Sequence, residues 1–200
     1  LKNYEDFIEK HAPLVKKSGL FFFNSVGLIR PEVVRHRVRM KERYSKPKEA
    51  KILLLMPQTR MKPFHKSKEA KEVMKHLQRA LKERSSEVHI CFYSAPYGVI
   101  PTELDEVYPL SQHETALPLD KETGEYVATQ VADYVSCMNY RMVVLLHDPE
   151  NWKESVLKMC KRTCLKRNIN FKYFNVKEAL SKAILTGLEK TLHETLSECP

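Results

Sequence analysis

Glycine is scarce in this chain. Five are present in 200 residues (Gly19, Gly27, Gly98, Gly124, Gly187), too few and too scattered to write a dinucleotide fingerprint or a P-loop. Nucleotide cofactors held by such loops are excluded, and no cofactor is expected. Long apolar runs are also missing: nothing approaches the roughly 20 residues of a membrane span, so a soluble chain without a membrane partner is expected. The five cysteines (Cys91, Cys137, Cys160, Cys164, Cys199) are odd in number and show no paired CxxC spacing. Reduced thiols in a cytoplasmic setting, with no metal bound, are the expectation. Cys160 and Cys164, four apart on one helix, supply half a zinc site or simply pack in the core. No signal peptide leads the chain, which begins at Leu1 instead of methionine and reads as a piece of something longer.

Positive charge is what the sequence has in surplus. There are 34 lysines and arginines against 25 acids, a formal charge of +9. The excess is local. Between Arg30 and Lys51 nine basic residues meet three acidic ones, and Arg60, Lys62, Lys66 and Lys68 follow with no acid among them. The rest of the chain is close to neutral, so a polyanion is expected to meet residues 30 to 68, with Arg30, Arg35, Arg37, Arg39 and Arg43 as its nucleic-acid contacts.

From residue 50 onward short apolar runs alternate with helical periodicities, the pattern of βαβ units. Ile52 to Met56, Val88 to Tyr93, Met142 to Leu146 and Ile169 to Phe174 read as strands. Between them Ala70, Val73, Met74, Leu77 and Leu81 repeat at three and four, as do Val127, Val131, Tyr134 and Met138, and then Trp152, Val156, Met159 and Thr163. Asn175 with Glu178 three positions on predicts a capping box for a last helix carrying Leu180, Ile184, Leu188 and Leu192 inward. The expectation is an α/β body over residues 50 to 200: a four-stranded parallel sheet with helices on both faces. Residues 1 to 49 do not keep this rhythm. Tyr4, Phe7, Ile8 and His11 predict a short helix, Leu20 to Phe23 a strand, and Pro31 the start of a helix with valines inward and arginines outward. They read as a short N-terminal arm, or a linker from a preceding domain.

Ligands in such sheets sit beyond the carboxyl ends of the strands, which directs attention to Pro57 to Ser67, Ser94 to Lys121, His147 to Asn151, and Asn175. The first loop sets Arg60 and Lys62 beside Phe64 at the head of a helix capped by Ser67. That is either an anion and nucleobase platform or a solvated basic loop with Phe64 plugged into the core. The second, about 28 residues long, is stiffened by Pro96, Pro101 and Pro109 and offers Tyr97 and Tyr108, with Glu103, Asp105, Glu106 and Glu114 as candidate acids or bases. His113 reads as a surface or packing histidine. Asp148 is either a residue of an active site at a strand end, with His147, or the N-cap of the Trp152 helix.

These two loops resemble a known family. Archaeosine synthase, the archaeal paralogue of tRNA-guanine transglycosylase, carries a PC-x3-KPY-x2-S-x2-H signature after a strand. Pro57, Lys62, Pro63 and Ser67 match it, Phe64 replaces tyrosine, Gln58 stands in place of the cysteine and Ala70 in place of the histidine. A second family segment, SP-x-G-VVP-x-ELE-x-x-YP, is matched by Ser94, Pro96, Gly98, Val99, Pro101, Glu103, Leu104, Tyr108 and Pro109. The stretch from Gly19 to Arg39 is similar to the segment that precedes this domain in the family. The resemblance implies a uracil-DNA-glycosylase-like three-layer fold. It also implies work on 7-cyano-7-deazaguanine in tRNA, in which an amine, lysine, adds to the nitrile carbon. On that basis Lys62 and Glu103 are the catalytic candidates, and Gln58, Arg60, Phe64, Ser67, Ser94, Pro96, Tyr97, Gly98 and Tyr108 the substrate contacts. The partners implied are tRNA and a transglycosylase-type chain or domain. Gln58 cannot form a thioimidate and Ala70 can transfer no proton, so a non-catalytic domain or subunit is an equal expectation. A base glycosylase of the same fold, or a scaffold that docks a modification enzyme, are the alternatives.

Overall fold

Ile52–Pro57 (β2) and Met142–His147 (β6) are apolar at nearly every position because both faces of the strands they form are covered. The computed structural model describes residues 20–22, 25–115, 119–176 and 181–197. Within it β2, Val88–Ser94 (β3), β6 and Asn170–Asn175 (β7) are mutually parallel neighbours in the order β3-β2-β6-β7. The sheet is nevertheless five-stranded and mixed, which corrects the four-stranded expectation. Gly98–Pro101 (β4), inside the segment read as loop, pairs antiparallel with β3, Ser94 opposite Gly98 and Cys91 opposite Pro101. Gly98 makes the reversal possible: its φ is +80°, and a Cβ there would lie 2.6 Å from Gln130 Cβ.

Alternation along the strands divides the core into two layers. Ile52, Leu54, Met56, Phe92, Val144 and Leu146 meet helices Lys68–Leu81 (α2) and Lys182–Ser197 (α6). Leu53, Leu55, Cys91, Tyr93, Val143 and Leu145 meet Lys121–Cys137 (α3) and Ser155–Arg167 (α5). Helices thus cover both faces. Cys160 and Cys164 are free thiols inside the second layer. The helix read through Trp152 to Thr163 is broken: Pro149–Trp152 forms a separate turn (α4), capped by Asp148 accepting from the Glu150 and Asn151 amides, and Lys153 leaves it at φ +47°. Asn175 is the last residue of β7, paired with His147, and not a helix cap. Glu178, Leu180 and the helix predicted around Phe7 lie outside the described residues.

The chain before residue 50 contributes to the same cores. Leu20–Phe22 (β1) pairs in parallel with His113–Thr115 (β5), and Phe22 and Val33 are buried in the first layer. Helix Pro31–Glu42 (α1) buries Val33, His36 and Met40, and the His36 imidazole donates through Nε2 to the Val99 carbonyl at 2.8 Å. Its valines are not all inward: Val34 and Val38 are half-buried. No helix among the described residues is long and apolar enough to cross a membrane.

Candidate functional site at the carboxyl end of the sheet

The parallel core reverses its winding direction between β2 and β6, so a crevice opens where their following loops diverge. The loop after β2 and the segment after β3 meet beside it, around His113. Its ring lies edge-on to Tyr97 (centroids 4.8 Å apart), Phe64 (6.0 Å) and Phe22 (6.1 Å), and its Nδ1–H donates to the Leu110 carbonyl at 3.0 Å. Burial, reinforced by the Lys62 ammonium nearby, lowers the His113 pKa to about 3, so the ring is neutral at physiological pH. Nε2 is then an acceptor, 3.4 Å from Ser94 Oγ.

A serine beside a neutral histidine invites a nucleophile reading. The hydrogen bonds argue against it. Ser94 Oγ donates its one proton to Gln58 Oε1 at 2.9 Å, and the same oxygen accepts the Ala95 amide at 2.9 Å. The Gln58 backbone N–H in turn donates to the Tyr93 carbonyl at 3.0 Å. Gln58 is therefore a rivet between the ends of β2 and β3, and Ser94, fully buried, is held rather than poised. Ala70, in place of the family histidine, is also fully buried, its amide donating to the Ser67 Oγ that caps α2.

The structure thus gathers Gln58, Lys62, Phe64, Ser94 and Tyr97 around His113. Few of the predicted substrate contacts reach solvent. Phe64, Ser67, Ser94, Pro96 and Tyr97 are buried, and Phe64 packs on Phe92 with centroids 5.2 Å apart, the core alternative of the two weighed. Arg60 and Tyr108 are exposed and Lys62 is half-buried. Burial lowers the Lys62 pKa, and Glu114 opposes that shift.

Glu103 stands elsewhere. Because β4 runs back along β3, it emerges near the start of that strand, where His89 lies; five residues of strand, roughly 16 Å, separate His89 from Ser94. There the Glu103 carboxylate accepts from the Tyr44 hydroxyl and from His89 Nε2 (3.3 Å). Burial disfavours its charge, but the bonds from His89 and Tyr44 outweigh that and bring its pKa to about 2. Tyr140 Oη, 2.6 Å from His89 Nδ1, and Tyr134, 3.0 Å from Tyr140, extend the network inward.

A third cluster escaped sequence reasoning. Asp105 is fully buried and accepts from both the His65 amide (2.8 Å) and His65 Nδ1 (2.7 Å), while Lys66 pairs with Glu106 at 2.7 Å. The loop after β2 and the segment after β4 are clamped together by these contacts. Forty residues separate the partners, and nothing in either stretch announces the other.

The basic residues lie on the surface. Arg35, Arg37, Lys41 and Arg43 are exposed along α1 and Arg39 is partly so. Arg30 sits over the Phe22 ring at 5.0 Å, and it and Tyr108 both act on the Tyr97 hydroxyl, which places the start of α1 beside the second loop.

Residues 33–192 match the family described as Domain of unknown function (DUF5591). The chain belongs to that family. The matched span of this DUF5591 chain begins inside α1, ends inside α6 and encloses all three clusters. The chain is similar to archaeosine synthase subunit alpha of Methanosarcina acetivorans, 30% identical over 188 residues, 93% of this chain and 28% of that protein. It is also similar to tRNA-guanine(15) transglycosylase of Methanobrevibacter smithii, 30% identical over 148 residues, 74% of this chain and 21% of that protein. A third relative is archaeosine synthase subunit alpha of Thermococcus kodakarensis, 33% identical over 100 residues, 50% of this chain and 17% of that protein. The DUF5591 chain therefore spans little more than a quarter of the longest-matched of these relatives. In fold it is like the crystal structure of AF0587, a protein of unknown function, with a TM-score of 0.53 and 20% identity over 78% of this chain and 48% of the other.

Proposed function

We propose that this DUF5591 chain is the tRNA-binding, non-catalytic part of an archaeosine-forming assembly. It holds tRNA carrying the cyano-deazaguanine base, and the groups that attack the nitrile come from a transglycosylase-type partner chain or domain. The observation that carries this reading is Gln58: at the place of the family cysteine stands a carboxamide whose oxygen is already committed to Ser94 and Ala95. Addition to a nitrile needs a positioned nucleophile and a proton donor for the developing imine anion. Lys62 alone could only bind phosphate or offset that charge. The names of the relatives and the basic surface of α1 support the tRNA part. The three-layer body is read as uracil-DNA-glycosylase-like, supported by the parallel order β3-β2-β6-β7 between two helical layers.

The test has two arms. Isolated protein should bind tRNA with an affinity that falls steeply as salt rises. Reversing Arg35 and Arg39, which share the outward face of α1, should weaken binding and flatten the slope of log K against log salt by about 1.4 to 1.8, two phosphate contacts' worth. Given lysine and tRNA bearing the cyano-deazaguanine base, the chain alone should form no adduct detectable by mass spectrometry of the nucleosides. An adduct abolished by Lys62→Ala would overturn the non-catalytic reading, and tRNA binding indifferent to the charge reversal would overturn the assignment of the basic face.

A further inference from the structure

A groove of about 490 Å³ runs between α1 and α3, bordering the strand-end cluster only at Tyr97. Its floor is apolar, made by Val38, Met40, Val99 and the Tyr97 and Tyr134 side chains. Its two lips differ in chemistry. The α1 lip carries Arg37 and Lys41, one helical turn apart and both exposed, while the α3 lip carries Gln130 and Asp133, three residues apart on the facing side of that helix. Glu42 lines the same groove.

We infer that this groove takes a single unpaired guanosine nucleotide of an RNA, with its phosphate on Arg37 and Lys41 and its base laid over Val99 toward Gln130 and Asp133. The volume is within the range of small-ligand pockets. The asymmetry of the lips selects the class of occupant: an anion on one side and a planar group rich in N–H donors on the other. A carboxylate accepts from the N1–H and N2–H₂ of guanine, whereas adenine presents an acceptor at N1 and would leave Asp133 facing a lone pair. Arg35 and Arg39 lie on the opposite flank of α1, two residues out of phase with this lip, so it is the positive field of the helix as a whole that favours a polyanion over a protein segment. The inference deepens the tRNA-binding reading by naming what a second surface of the chain holds, and it rests on that reading only for the nucleotide's origin.

Cys137, exposed and within the groove, reports occupancy without being part of the contact proposed. The full chain would be alkylated with iodoacetamide in the presence of millimolar GMP or AMP, or of a short single-stranded RNA with or without one G, and modification of the Cys137 peptide followed by mass spectrometry. GMP and the G-containing RNA are expected to slow the reaction about tenfold near saturation, and AMP to slow it far less. Asp133→Asn should remove the preference for GMP, and Lys41→Glu the protection itself, with melting temperatures unchanged because both side chains are exposed. No protection by GMP or by the G-containing RNA overturns the inference, even if tRNA still binds along α1. Equal protection by GMP and AMP that survives Asp133→Asn also overturns it. Shielding of Cys137 only by an added transglycosylase-type protein would make the groove a protein-docking surface and overturn it likewise. Protection by free GMP in a chain that fails to bind tRNA would uphold the groove and sink the tRNA reading instead.

Discussion

Acid should unfold this protein through two buried histidines before its carboxylates titrate. Burial lowers His113 to about 3 and His36 to about 4, from an ordinary 6.5, so in the folded state both stay neutral where the unfolded chain would protonate them. The unfolded state then binds more protons, and stability rises with pH across the interval between folded and unfolded values. It is fully present above about 6.5 and is lost as pH falls toward 4, each histidine contributing about 1.4 kcal/mol per pH unit. From pH 7 to pH 5 the pair should cost about 4 kcal/mol, a large share of the 5 to 15 kcal/mol of an ordinary domain. His147, also lowered by burial, acts in the same direction. Glu103, held down to about 2, loses its contribution only below about pH 4.5, in a separate window. Urea denaturation at half-unit steps of pH would measure the slope. His113→Asn, whose amide nitrogen can still donate to the Leu110 carbonyl, should remove about 1.4 kcal/mol per pH unit from that slope, whatever it does to stability at pH 7. An unchanged slope in the variant, or a wild-type stability flat from pH 7 to 5, would refute the reasoning.

Gly98→Ala should destabilise the protein by about 1 to 3 kcal/mol, because it meets both a left-handed φ and a Gln130 side chain in the way; a melting temperature within a degree of wild type would count against the β4 geometry. Phe64→Ala should cost about 3 to 5 kcal/mol by denaturation and change RNA affinity little, since the ring is fully buried; the reverse outcome would restore the stacking role. Asp105→Asn weakens the charge-assisted bonds to His65 and should cost about 1.5 to 3 kcal/mol, with faster proteolytic cutting between Pro57 and Ser67; unchanged cutting would mean the clamp does not hold that loop.

The two central parallel strands were legible because a strand covered on both faces must be apolar at consecutive positions, and Ile52 to Met56 and Met142 to Leu146 are. β4 was not legible. It is four residues long and bounded by Pro96 and Pro101, and its partner atoms belong to β3, so nothing within Gly98–Pro101 marks a strand. That omission misplaced Glu103. Read as one loop, the second segment puts Glu103 beside Ser94; folded, the antiparallel return of β4 carries it to the other end of β3. Lys153 shows a similar blindness, since the spacing of Trp152, Val156 and Met159 continues in register across a backbone break. The gathering of Lys62, Phe64, Ser94 and Tyr97 was legible from topology alone, because loops leaving adjacent parallel strands share an end of the sheet. Their burial was not, because it depends on Phe22 and His113 arriving from distant segments.

The bond between Asp105 and His65 bears on inheritance as well as on shape. The two segments that carry the family likeness lie far apart in the chain, yet each holds one half of a contact whose carboxylate is fully buried and cannot be left without its donor. Exchanging the Pro57–Ser67 loop alone with one from a relative that lacks a histidine at that point would strand a carboxylate in the interior, and exchanging the 95–112 segment alone would strand the histidine. A chimera would therefore fold well only when both segments come from the same parent. Across relatives, the identities at these two positions should drift together or not at all.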